Sequence, residues 1–288
     1  MNCKHTYSRR GARRGAVAAW AVIAAVAAGG PAFAAGPQRV VSINLCTDQL
    51  VLALADRGQI AGLSRFSQHG EMSLLARQAK GLPSLRGSAE EVLRLKPDLV
   101  LGGAFSGRAT RKVVAGRGIR LETFAPPQSI PEAKAEIERA ARLLGHPDRG
   151  ARLVAQIDAA VAAGRDSGGG GAPRVLLVQR RGFVSGRETL LSSAIEAIGL
   201  VNAAGALGVS SIARAPLETI VKLRPDVLVL EALGVARDQS SALLLHPALA
   251  SLRDPARVWR LPVAEVTCGG PALPALLRRL VALRGGIE

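Results

Sequence analysis

The chain has 288 residues, of which 48% are hydrophobic and 3% aromatic, and its formal net charge is +16. That apolar content excludes a disordered protein, and the length suffices for two lobes with cores of their own. The charge does not call for nucleic acid as a partner. The arginines are scattered, no aromatic residues are interleaved with them, and solvated helix faces account for them.

Residues 1–34 read as a secretory signal peptide. Lys4, Arg9, Arg10, Arg13 and Arg14 precede an Ala-rich apolar run over 16–28, and Ala32, Phe33 and Ala34 supply a small-x-small cleavage site. The run is short for a membrane span. Cys3 lies ahead of the run, where it does not serve as a lipid-anchored cysteine. The Arg9-Arg10 pair leaves general-secretory and twin-arginine export both open. Five positive charges and no acid fall in this segment, so the remainder carries +11. The expectation is a soluble protein in an oxidising compartment.

Strand and helix signals then alternate. Residues 39–43 and 60–64 read as strands, with an apolar run over 48–55 between them. The segment AEEVLRLKPDLVL at 89–101 reads as a helix over 89–95 and a strand over 98–101, split at Pro97. Residues 119–124 form a further strand. Apolar residues at helical spacing mark helices over 131–144 and 148–164, the second opened by Pro147. The run DSGGGGAP at 166–173 reads as a flexible loop. It follows a helix and precedes a strand, the reverse of a phosphate-cradling loop. Beyond it, 174–179 is a strand and 188–199 a helix. The segment LETIVKLRPDVLVL repeats the earlier unit as helix 217–223 and strand 226–230. A strand over 257–262 and a helix over 271–283 close the chain.

The repeat is the strongest internal feature. Glu90 matches Glu218, Pro97 matches Pro225 and Asp98 matches Asp226, all at an offset of 128. Two copies of one helix–turn–strand unit imply two similar lobes. The expected fold is α/β with two lobes, each a parallel-type sheet covered by helices, joined by one long helix with a ligand cleft between them. The boundaries are 36–146 for the N-terminal lobe, 147–165 for the linking helix and 172–288 for the C-terminal lobe.

Taken in order, VVSINLCTDQL, the first repeat unit, one long linking helix, GFVSGRETLLSSAIEAIG at 182–199 and the second repeat unit resemble the periplasmic binding proteins of the vitamin B12 and ferric-siderophore ABC importers. The likeness covers nearly all of 38–285. It implies a non-enzymatic, monomeric, periplasmic solute-binding protein that clamps a corrinoid or iron complex and delivers it to a permease dimer with its ATPase. It also implies that Glu90 and Glu218, one per lobe, dock on arginines of the permease. Acids in the first turn of a helix are favoured by its dipole, which fits that role and also fits plain helix starts. A heme-binding protein of the same class and a chelatase-like enzyme on a similar scaffold are the alternatives. No catalytic residue, resident cofactor or protein-held metal is expected.

Ligands of parallel α/β sheets sit at the carboxyl ends of the strands. That rule selects the loops 44–48, 64–69, 102–108, 180–187 and 266–270. Their candidate contacts are Cys46, Thr47, Phe66, Phe105, Arg108, Phe183 and Cys268, with Arg86, Arg181 and Arg214 as further partners for carboxylates. Cys46 and Cys268 both fall in these loops. A disulfide between the lobes, two free thiols and metal coordination all remain open. Cobalamin binders of this group tend to line the cleft with Trp and Tyr. Here Tyr7 is the only tyrosine and Trp259 the only tryptophan after Trp20. Of the histidines, His69 alone lies near the expected cleft.

Overall fold

The computed structural model describes residues 1–2, 36–166, 172–179, 182–232, 246–247 and 257–285. Residues 3–34 of the expected signal peptide, Arg181 and the segment 167–171 lie outside them. The described residues from 36 onward belong to one compact unit.

The first half builds a parallel sheet. Its strands are β1 (Val40–Ser42), β2 (Ile60–Ser64), β3 (Ser84–Leu85), β4 (Leu99–Gly103) and β5 (Arg120–Phe124), in the order β3-β2-β1-β4-β5. Every pairing is parallel. The helices between them are α1 (Leu45–Leu54), α2 (Ala76–Ala79), α3 (Ala89–Arg94) and α4 (Arg108–Gly116). Two long helices follow, α5 (Ile130–Leu144) and α6 (Pro147–Asp166). Ser129 caps the first by accepting from the Glu132 N–H. Gly145 ends it at a φ of +83°, where a side chain would be strained.

The second half contains β6 (Arg174–Gln179), β7 (Phe183–Ser185), α7 (Leu190–Ala197), β8 (Val201–Asn202), β9 (Ile212–Arg214), α8 (Leu217–Leu223), β10 (Val227–Ala232), β11 (Val258–Pro262), α9 (Val263–Val266) and α10 (Leu273–Arg284). The sheet order is β11-β10-β6-β7-β9, with β8 beside β6. This sheet is mixed rather than purely parallel. β7 runs antiparallel to both β6 and β9. The three residues between β6 and β7 are too few for a crossover, so the chain has to fold back as a hairpin. Gly182, at a φ of +73°, ends the return.

The repeat has a shared local geometry. Lys96 and Arg224 both take left-handed backbone, at φ of 45° and 44°, and are again 128 apart. After each comes Pro-Asp. The Asp98 carboxylate accepts from the N–H groups of Gln38 and Arg39, and the Asp226 carboxylate from that of Arg174. Each aspartate therefore ties the strand it opens to the first strand of its own sheet.

The central strands of both sheets are buried on two faces, so β4 and β6 read as continuous apolar runs. In β4, Leu99 and Leu101 face one way and Val100 the other. In β6, Val175 and Leu177 face away from Leu176 and Val178. The inner faces of the two sheets join one hydrophobic core with Ile137 and Leu144 of α5, Ile157 of α6 and Leu277 of α10. Trp259 of β11 is buried in that same core. Among the described residues, no helix is long and apolar enough to cross a membrane.

Candidate functional site

A cavity of about 620 Å³ opens between the two halves. Its first wall comes from the carboxyl ends of β1, β4 and β5. Asn44, two residues past the end of β1, caps α1, its Oδ1 accepting from the Cys46 N–H at 2.9 Å. Its Nδ2 donates to Ser106 Oγ at 3.1 Å, across the turn after β4. Gly103 makes that approach possible, because a Cβ there would lie 2.7 Å from Ser106 Oγ and 2.8 Å from Asn44 Nδ2. Phe105 stands at the rim, 86% exposed. Phe124, Pro126, Pro127, Gln128 and the first turns of α5 complete this side.

The opposite wall is Leu177 and Gln179 of β6, Ser185 of β7, residues 188–191 at the start of α7, and Ser211 with Ile212. A short strap, 266–270, closes one end. Cys268 on the strap is disulfide-bonded to Cys46 in the first turn of α1, with a Cα–Cα distance of 5.3 Å across 222 residues of sequence.

The charged residues among the described lining are Glu136 and Glu188. Glu136 is neutralised in place. Arg139 donates to Glu136 and to Glu122, each at 2.9 Å, and to the Thr123 carbonyl, while its guanidinium lies 4.3 Å from the centre of the Phe124 ring. Burial works to lower the Arg139 pKa, but the Glu136 and Glu122 carboxylates outweigh it and raise the value. The rest of the polar lining consists of amides and hydroxyls, among them Asn44, Gln128, Gln179, Ser106, Thr189 and Thr267. Among the described residues, no group of three or more His, Cys, Asp or Glu is placed to hold a metal ion.

Directly behind the first wall lies Asp48, fully buried. Burial pushes its carboxyl up to about 7, even though hydrogen bonds from Ser42 and Ser64 favour the charged form. The Ser64 N–H donates to Oδ1 at 3.0 Å, and Ser64 Oγ contacts Oδ2.

Of the residues expected in the cleft, Cys46, Thr47, Phe105 and Cys268 line this cavity. Phe66, Arg86, Arg108, Phe183 and Arg214 lie outside its lining. Phe66 is on a short 3-10 turn after β2, under Arg65. Arg86 is an exposed residue after β3, and Arg108 is the exposed first residue of α4. Phe183 and Arg214 are cross-strand partners on β7 and the edge strand β9, so Phe183 lies in the sheet and not in a loop. His69 lies 6.3 Å from Phe66, ring centre to ring centre, and is likewise outside the lining. Sequence reasoning missed residues 124–128, although the strand-end rule applied to β5 points to them. It also stopped one residue short of Glu188.

Glu90 and Glu218 occupy the first turns of α3 and α8, and both are exposed. Glu90, 84% exposed, pairs with Arg94 one turn on, at 3.0 Å.

A second, shallower groove of about 830 Å³ runs past Ser129, Asp158, Arg165, Arg187 and Glu196 and shares Gln128 and Glu188 with the cavity. The strand ends of both sheets converge on the first cavity, so that one is taken as the site.

The model of the family described as "Periplasmic binding protein" matches residues 40–256. The chain belongs to this family. A cobalamin-binding protein of Halobacterium salinarum, found in two strains, is 28% identical over 216 residues. The match takes in 74% of this chain and 58% of the relative's length. Among solved structures, the apo periplasmic heme-binding protein RhuT from Roseiflexus sp. RS-1 is 28% identical, with a TM-score of 0.72 over 88% of this chain and all of that one. A periplasmic heme-binding protein from Pseudomonas aeruginosa is 27% identical, with a TM-score of 0.68 over 85% and 92%. The two lobes about a cleft are thus the arrangement of a known set of binding proteins.

Proposed function

We propose that this chain is the periplasmic solute-binding component of an ABC importer and that its cargo is a corrinoid of the cobalamin type. The observation that carries the reading is the lining of the interlobe cavity. Its described residues offer apolar surface, amides and hydroxyls, with two carboxylates, one of them already paired. A cobalamin brings its own axial ligands and presents peripheral amides, which hydroxyl and amide side chains can satisfy. A heme would call for an axial His or Tyr and for cations against its propionates. The cobalamin-binding relative supports the corrinoid. The heme-binding structural relatives favour heme as the second reading, with siderophore-bound iron behind both. The relatives are named as binding proteins, which supports a role without turnover.

The exposed Glu90 and Glu218 are the contacts we assign to the permease dimer. Acidic side chains at two helix starts, one per lobe, meet arginines in a charge-assisted docking that orients the protein on its partner.

The test is titration of the purified protein with cyanocobalamin, hemin and a ferric siderophore, followed by absorbance. Saturable cyanocobalamin binding is expected. Tight hemin binding without cobalamin binding would refute the corrinoid and install the second reading. For docking, Glu90→Ala with Glu218→Ala should abolish uptake in cells and leave ligand affinity intact, and undiminished uptake would end that role.

A further inference from the structure

We infer that the Cys46–Cys268 disulfide is a thiol-exchange site that controls how firmly the two lobes grip the contents of the cavity. The inference rests on the proposed binding role, but its central claim concerns the protein alone.

Three observations place the bond at a point of control. Both half-cystines line the cavity, so the bond is part of its wall. It joins elements of different lobes, the first turn of α1 and the strap after α9, across 222 residues. The backbone passes from one sheet to the other through α5 and α6, and the disulfide adds a second covalent tie. The strap itself is wedged between the lobes. A Cβ on Gly269 would lie 2.5 Å from Leu190 Cδ2 on one lobe and 2.6 Å from Pro127 Cγ on the other, and a Cβ on Gly270 would lie 3.2 Å from Leu50 Cδ2 of α1. Glycines bring the strap this close, and the disulfide holds it there.

Access is asymmetric. Cys268 is buried, at 4% exposure, whereas Cys46 is only half-buried. The reductant is a protein or small-molecule dithiol. Its thiolate attacks Cys46 Sγ, the Sγ–Sγ bond breaks, and Cys268 leaves as a thiolate that takes up a proton. The second thiol of the reductant then attacks the mixed disulfide and releases the Cys46 thiolate, which is protonated in turn. The reductant departs as a disulfide, having given up two electrons and two protons. With the tie cut, the strap is held across the lobes only by non-covalent contacts such as those with Leu50, Pro127 and Leu190, and the cavity opens more often.

The experiment has a ligand-free arm and a ligand arm, each run on oxidised protein and on protein reduced with dithiothreitol. Mass spectrometry of alkylated samples counts the thiols. In the ligand-free arm, hydrogen exchange at 267–270 and at the start of α1 should quicken on reduction while the strands of both sheets keep their protection. In the ligand arm, cyanocobalamin should dissociate roughly tenfold faster from reduced protein, since bound lifetime carries most affinity changes. Cys46→Ser with Cys268→Ser should reproduce the fast state and ignore dithiothreitol. Equal strap exchange in both forms would overturn the inference, as would a bond that resists dithiothreitol in the folded protein, or loss of the whole fold on reduction. Faster strap exchange with no cobalamin bound in either form would support the exchange site and refute the corrinoid.

Discussion

Asp48→Asn isolates the energetic burden of one buried carboxyl. Asp48 is fully buried against Ser64, and its pKa is raised from the usual 3.8 to about 7. Between those values the folded protein holds a proton that the unfolded chain has lost, so stability falls as pH rises. At about 1.4 kcal/mol per pH unit, the displacement is worth about 4 kcal/mol. The contribution is fully present below pH 3.8 and gone above the folded value. Asparagine mimics the protonated acid. Its Oδ1 accepts from the Ser64 N–H and its Nδ2 donates to Ser64 Oγ. The variant should match the parent near pH 4 and exceed it by about 4 kcal/mol at pH 8. The assay is urea unfolding followed by circular dichroism at half-unit intervals from pH 4 to 8. Asp56 is held low mainly by its hydrogen bond from Arg149, and Glu91 mainly by the Ser88 N–H. Both titrate alike in the two proteins and cancel. A difference that stays flat across this range, or a variant weaker than the parent at pH 8, would refute a desolvated carboxyl behind the cavity wall.

Three further outcomes test the packing and the rim. Gly269→Ala should destabilise the protein by about 1–3 kcal/mol in urea, because its Cβ meets Pro127 and Leu190. Gly58→Ala, with nothing within 4 Å of the new carbon, is the control and should be close to neutral. Arg284→Met removes a buried guanidinium that donates to the Gly164 carbonyl at 3.0 Å and to the Ile198 carbonyl. A loss of about 1.5–3 kcal/mol is expected by thermal or urea unfolding. Phe105→Ala should leave the melting temperature unchanged, since the ring is 86% exposed, and should weaken cyanocobalamin binding roughly tenfold by titration.

Much of the architecture was legible because the repeat carries its own punctuation. Pro97 and Pro225 stop a helix, and Asp98 and Asp226 anchor a strand, so the sequence pattern and the backbone agree. α1 was not legible as a helix. Seven of its ten residues are buried, on most sides, so no polar face marks the 3.6 period. The antiparallel hairpin of β7 was hidden for another reason. β7 is three residues long, and so short a run looks the same in a loop and in a strand. That is why Phe183 falls within the expected loop 180–187. The strand-end rule led to Asn44, Gly103, Phe105 and the strap, because topology alone fixes those ends. It failed for Phe66, where the chain leaves β2 in a 3-10 turn away from the cavity. The pairing of Cys46 with Cys268 depends on a Cα separation that no spacing of 222 residues encodes.

The hydrophobic core that runs through the inner faces of both sheets and through α5, α6 and α10 has a consequence for how the molecule is made and dismantled. Neither half has a complete interior without the other. A fragment ending after α6 would leave Ile137, Leu144 and Ile157 without the α10 and β6 side chains that share their core, and so would present a greasy face to solvent. The protein should therefore melt in one transition. Nascent chains should remain dependent on chaperones until α10 has been synthesised, and the halves cannot be exchanged between relatives as separate cassettes.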